Sequence, residues 1–155
     1  MNNQRRNVLK TGSGAALLTA LAAAGIIKPG MALASWNKAA FEAKSMADTL
    51  KALGVAATTD SKDVQVAGPD IAENGAVVPV GVSTTLPNVT MVAILIEKNP
   101  NALAASFTLP EGTEPNVNTR VKMGQTSNVY ALVKSDGKFF MATKEIKVTL
   151  GGCGG

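Results

Sequence analysis

The chain of 155 residues contains no histidine, a single cysteine, one tryptophan and one tyrosine, and aromatics make up only 4% of it. Each scarcity excludes something. Without histidine, the commonest general base and metal ligand is missing, so a self-contained thiol hydrolase or transferase and a protein-held metal are both poor fits. One cysteine cannot form an internal disulfide. Few aromatics leave no platform for stacking bases. Acidic residues are also absent from the first 34 positions, where Arg5, Arg6, Lys10 and Lys28 stand. That leader accounts for the whole net charge of +4, because the other 121 residues hold the remaining 11 basic residues against all 11 acidic ones. With no basic stripe in the body of the chain, nucleic acid is not an expected partner.

What the leader does contain is ordered like an export signal. Gln4-Arg5-Arg6-Asn7-Val8-Leu9-Lys10 precedes a modestly apolar run over 12–27, which ends at Ala32-Leu33-Ala34. A charged start, an apolar middle and a small-x-small end mark a cleavable signal, with cleavage after Ala34. The run is rich in glycine and alanine and falls below the ~18 to 20 residues of a spanning helix, so no membrane association is expected after cleavage. Paired arginines followed by Leu9-Lys10 point to the twin-arginine route and a periplasmic destination. Gln4 and Val8 depart from that pattern, where Ser or Thr and Phe are usual, and the general secretory route is the alternative. Twin-arginine transport carries folded proteins. In a chain so poor in metal ligands, a partner assembled before export explains that choice better than a cofactor does.

The body divides in texture. Residues 36–53 carry a helical stripe of Trp36, Ala40, Ala43, Ala47 and Leu50, widened by Phe41 and Met46. Gly54 is suited to cap the helix end. From residue 61 short strands follow, expected at 64–67, 77–84, 89–97, 103–109, 116–123, 128–134 and 138–150. Strands at this spacing predict an antiparallel, immunoglobulin-like β-sandwich. Val117, Thr119, Val121 and Met123 alternate with polar neighbours, so that strand has one wet face. The almost wholly apolar stretch 89–96 reads as a central strand or one covered by a partner. Asn74-Gly75, Glu111-Gly112 and Asp136-Gly137 supply turns, and Pro79 implies a sheet edge or a bulge. The expected organisation is a signal over 1–34, a helix and linker over 35–60, a β-sandwich over 61–150, and a tail over 151–155.

The tail is Gly151-Gly152-Cys153-Gly154-Gly155. A thiolate can accept and release sulfur. Glycines remove side-chain bulk and widen the backbone's choices, so the tail is thin enough to enter a narrow active site. From Leu150 to Cys153 it reaches roughly 10 Å. It holds no acid or base, and Lys147 is the nearest charge in sequence. Cys153 therefore reads as a handle for covalent attachment rather than as a catalytic residue. An intermolecular disulfide in a structural or assembly subunit is the competing reading, and a thiol enzyme acting alone is a third.

With the paired arginines at Arg5-Arg6, the β-rich body and above all the terminal Gly-Gly-Cys-Gly-Gly, the chain resembles the SoxY family, the sulfur-carrier subunit of bacterial thiosulfate-oxidising systems. The resemblance implies a non-enzymatic carrier without a resident cofactor, its sulfur intermediates held covalently on Cys153. It implies a heterodimer with a SoxZ-like β-sandwich subunit exported together with it. It further implies transient work with SoxAX, a c-type cytochrome complex that couples thiosulfate onto the thiol; with SoxB, a hydrolase that removes sulfate; and, where present, with SoxCD, a sulfane dehydrogenase.

Overall fold

A computed structural model describes residues 36–150. Two helices, α1 (Lys38–Glu42) and α2 (Met46–Ala52), come first. Nine strands follow among the described residues: β1 (Thr59–Asp60), β2 (Val64–Ala67), β3 (Ile71–Asn74), β4 (Val78–Thr84), β5 (Val89–Ile96), β6 (Leu103–Thr108), β7 (Asn116–Val121), β8 (Ser127–Ser135) and β9 (Lys138–Leu150). The larger sheet runs β1-β9-β8-β5-β6, with β3 also on β9, and the smaller runs β2-β4-β7. The result is a mainly β, sandwich-like fold.

The expected single helix is two. Asn37 caps α1 by accepting a bond from the Ala40 amide at 3.1 Å, and Ala43 then turns extended, with ψ of 136°. Ser45 starts the second helix: its Oγ accepts from the Asp48 amide at 3.0 Å and donates to the Asp48 carboxylate at 2.6 Å. A serine that caps a new start competes with continuing the old helix. The stripe therefore misleads at Ala47, which is exposed, while Thr49 is buried and donates to the Ser45 carbonyl at 2.8 Å. Gly54, with φ of +76°, follows the end of α2 as expected.

Seven of the nine strands fall within one or two residues of their expected limits. The alternation of β7 is present in the fold: Val121 and Met123 are buried and Asn116, Asn118 and Arg120 exposed. Asp136 and Gly137, both at positive φ, make the two-residue turn between Ser135 and Lys138 that joins β8 to β9. Pro79 sits in β4, the middle strand of the smaller sheet, yet β2 pairs only as far as Ala67 with Gly81. At Pro79 the strand keeps β7 on one side, opposite Arg120, and is past the end of the β2 ladder on the other, a locally edge-like position that suits proline.

Two strands escape the sequence reading, and they break the expected all-antiparallel pattern. β1 and β3 both pair with β9 in parallel. They are two and four residues long, too short to show a period, and Asp60, Glu73 and Asn74 hide them further.

The core has two parts, on opposite faces of the larger sheet. Between the sheets, Val78, Val80 and Val82 of β4 meet Val92, Ile94 and Ile96 of β5. On the outer face, Ala93, Leu95 and Leu132 pack under Ala40, Phe41, Met46 and Leu50 of the helices. β5 is thus central and buried on both sides. Its apolar run is covered by the chain's own helices, which meets the first of the two expectations, a central strand, and the run itself does not call for a second subunit. No helix among the described residues is long and apolar enough to cross a membrane.

Candidate functional site: the root of the C-terminal tail

Cys153, with Gly151, Gly152, Gly154 and Gly155, lies outside the described residues, as do Arg5, Arg6 and Ala34. What the structure supplies is the place from which the tail departs. β8 escorts β9 only as far as the pairing of Ser127 with Ile146. Beyond it, residues 147–150 run alongside β3, with Ile71 opposite Lys147, Ala72 opposite Val148 and Asn74 opposite Leu150.

Hydrogen bonds fix this last stretch from both sides. The Lys147 amide donates to the Asp70 carbonyl at 3.0 Å, and the Gly75 amide donates to the Leu150 carbonyl at 2.8 Å. The Thr149 hydroxyl donates to the Glu73 carbonyl at 3.0 Å. On the opposite edge the Val148 amide donates to Thr126 Oγ1 at 2.9 Å. The anchoring continues sideways. The Gly75 carbonyl accepts from the Met123 amide at 2.7 Å. Asn99 then ties in the loop after β5, donating to the Lys122 carbonyl at 2.7 Å and accepting from the Gly124 amide at 3.2 Å. A continuous relay of polar contacts therefore joins Leu150 to three loops at one end of the sandwich. The described chain therefore ends at a held point, and the chain length alone limits Cys153 to within roughly 10 Å of it.

The sequence placed Lys147 as the nearest charge. The fold adds the Glu73 backbone carbonyl, which accepts from Thr149 and belongs to β3, a strand too short to show a period. Among the described residues, no group of three or more His, Cys, Asp or Glu side chains converges as a metal site. At the same end, Glu97 accepts from Asn128 Nδ2 at 2.9 Å and from the Tyr130 hydroxyl at 3.3 Å. Burial, and next the negative charge of Glu97, raise the Tyr130 phenol above its usual value of 10.0, against an opposing hydrogen bond from Asn128. Tyr130 is therefore protonated at neutral pH and is no base for the thiol.

Two cavities can be set against the tail's root. One of about 550 Å³ lies between Leu86, Val89, Gly112 and Pro115. These belong to the loops at the far end of the sandwich, where β8 turns into β9. The nine residues of β8 separate the two ends by roughly 30 Å, beyond the tail's reach. A shallower one of about 460 Å³ lies on the outer face of the smaller sheet over Pro79, Gly81 and Arg120. There the Asn118 side chain lies across Gly81, in the space a Cβ would need. Neither cavity holds a nucleophile paired with a base.

The family model described as sulfur oxidation protein SoxY matches residues 50–153. Among solved structures, the sulfur carrier protein SoxY from Chlorobium limicola f thiosulfatophilum is 35% identical, with a TM-score of 0.59, and the match covers 67% of this chain and 96% of that one. A superoxide reductase (neelaredoxin) from Ignicoccus hospitalis is 20% identical, with a TM-score of 0.49, over 55% of this chain and 78% of that one. A search of curated protein sequences found no match.

Proposed function

The chain belongs to the SoxY family of sulfur oxidation proteins, and from that premise we propose that it is a periplasmic sulfur carrier that holds its cargo on the thiol of Cys153 and leaves the catalysis to other proteins. The observation that carries this reading is the extent of the family match, which runs through the last strand and ends at residue 153. β9, the last of the described strands, ends at Leu150, three residues before the position where the match ends.

The proposed cycle begins with thiosulfate. Its outer sulfur bonds to Sγ of Cys153, the thiol proton leaves, and two electrons pass to the cytochrome partner. Water then cleaves the bond between the terminal sulfur and the sulfonate group. Sulfate and a proton depart, and a persulfide remains on Cys153 for a sulfane dehydrogenase where one is present. Each step needs an oxidant or a catalytic base that the tail lacks, which is why SoxAX-, SoxB- and SoxCD-like partners belong to the proposal. A SoxZ-like subunit enters on the family resemblance and on the twin-arginine leader at Arg5 and Arg6.

The glycines have their own role in this scheme. An arm about 10 Å long must bring its sulfur to the reacting groups of several enzymes through entrances too narrow for a folded surface. Gly152→Val adds a β-branched side chain that stiffens and thickens the arm beside the reacting atom. Misplacement by about an ångström costs on the order of a hundredfold in rate. In a system reconstituted from the partner proteins, Gly152→Val should slow thiosulfate-dependent turnover by about that factor. Its melting temperature and the reaction of its free thiol with a small reagent should match the parent. Full activity in this variant would remove the threading argument.

A further inference from the structure

The end of β9 is built differently from the rest of the strand. Up to Ile146 it is a full member of the larger sheet, with β8 beside it and the Ile146 side chain completely buried. Among the described residues, 147–150 extend past β8 and have β3 as their only strand partner, and β3 pairs with β9 alone. The two form a short ribbon standing beyond the edge of the sheet.

Little apolar surface holds that ribbon down. Ala72 is buried and Val148 half-buried, whereas Ile71, Glu73, Asn74, Lys147, Thr149 and Leu150 are exposed, Leu150 by 70%. Beside the ladder with β3, what remains is the set of hydrogen bonds to Asp70, Glu73, Gly75 and Thr126; those to Asp70 and Glu73 join exposed residues, whereas Gly75 is buried and the bond to Thr126 part-buried. Few buried contacts and solvent-facing backbone bonds are the marks of a segment that opens locally, without global unfolding.

We propose that residues 147–150 are a releasable part of the arm: they peel from β3, with the opening stopped at Ile146 by its burial and by its pairing with Ser127. Release changes the arm's length in a defined step. Three residues separate Cys153 from its root while the ribbon is closed, and seven separate it from Ile146 when the ribbon is open. The reach grows from roughly 10 Å to roughly 24 Å. Resting on the carrier reading, this gives one cysteine two ranges, a short one held near the domain and a long one for a deeply recessed active site.

Amide hydrogen exchange of the full chain under native conditions tests the release without any partner or cargo, so its failure is distinct from failure of the carrier reading. The amides of Lys147, Val148 and Gly75 should exchange at least about a hundredfold faster than those of residues 92–95 in the centre of the sheet. Thr126→Val, which deletes the acceptor of the Val148 amide, should speed exchange at Val148 further and leave residues 92–95 unchanged. Exchange at Lys147, Val148 and Gly75 as slow as in β5 would overturn the proposal. So would rapid exchange that includes residues 92–95, because the opening would then not be local.

Discussion

Cys153→Ser should abolish thiosulfate-dependent turnover in a reconstituted system, leaving no activity above the background without carrier. The substitution keeps the size of the side chain and removes the only sulfur nucleophile, since the chain has one cysteine. A serine oxygen cannot form the sulfur–sulfur bond on which the proposed cycle depends, and the tail has no base to make it a nucleophile of another kind. The fold should not register the change. β9 ends at Leu150, whose carbonyl is already engaged by Gly75, so the variant should melt with the parent. Turnover by Cys153→Ser at the parental rate would mean that the cargo is held elsewhere.

Leu95→Ala should destabilise the isolated chain by about 2–5 kcal/mol, the range for deleting a fully buried leucine side chain. Leu95 is completely buried, on the face of β5 that packs beneath the helices. Urea unfolding of the chain without any partner measures it. Glu145→Ala, at an exposed position of β9, serves as the control and should change stability by about 0.5 kcal/mol or less. The comparison decides what covers β5. If Leu95→Ala unfolds at the parental midpoint in the isolated chain, the helices are not the cover, and the apolar run from Val89 to Ile96 is reserved for another protein after all.

That run illustrates how much of the fold the sequence discloses. Its composition identifies a strand buried on both faces, but composition cannot say whether the second cover comes from the same chain. The alternation in β7 and the Asp136-Gly137 turn are legible because each is a local rule: side chains alternate along a pleat, and two consecutive residues at positive φ favour aspartate and glycine. β1 and β3 are not legible, because a strand of two or four residues owes its existence to the neighbour it pairs with. The break at Ser45 is readable in principle from Ser45 and Asp48 three positions apart. The apolar stripe on either side obscures it, since both short helices present their buried residues to the same sheet.

The candidate site divides in the same way. The chemistry is legible in Cys153 and its flanking glycines, because reactivity and freedom belong to residue types. The arm's root is not, because Asp70, Glu73 and Gly75 reach β9 from more than seventy positions away. The proposed handle is thus read from residue types, and the anchored end of β9 from the fold.

Intact-mass spectrometry of the protein isolated from its native cells during growth on thiosulfate tests the carrier claim most directly, with fragmentation to locate any modification. The account predicts a mature chain bearing added mass on Cys153 that corresponds to sulfur atoms or to a sulfonate-terminated sulfur chain, removed by a thiol reductant. A Cys153 found only as a free thiol or only in a disulfide to another polypeptide, with no sulfur adduct under turnover, would contradict it.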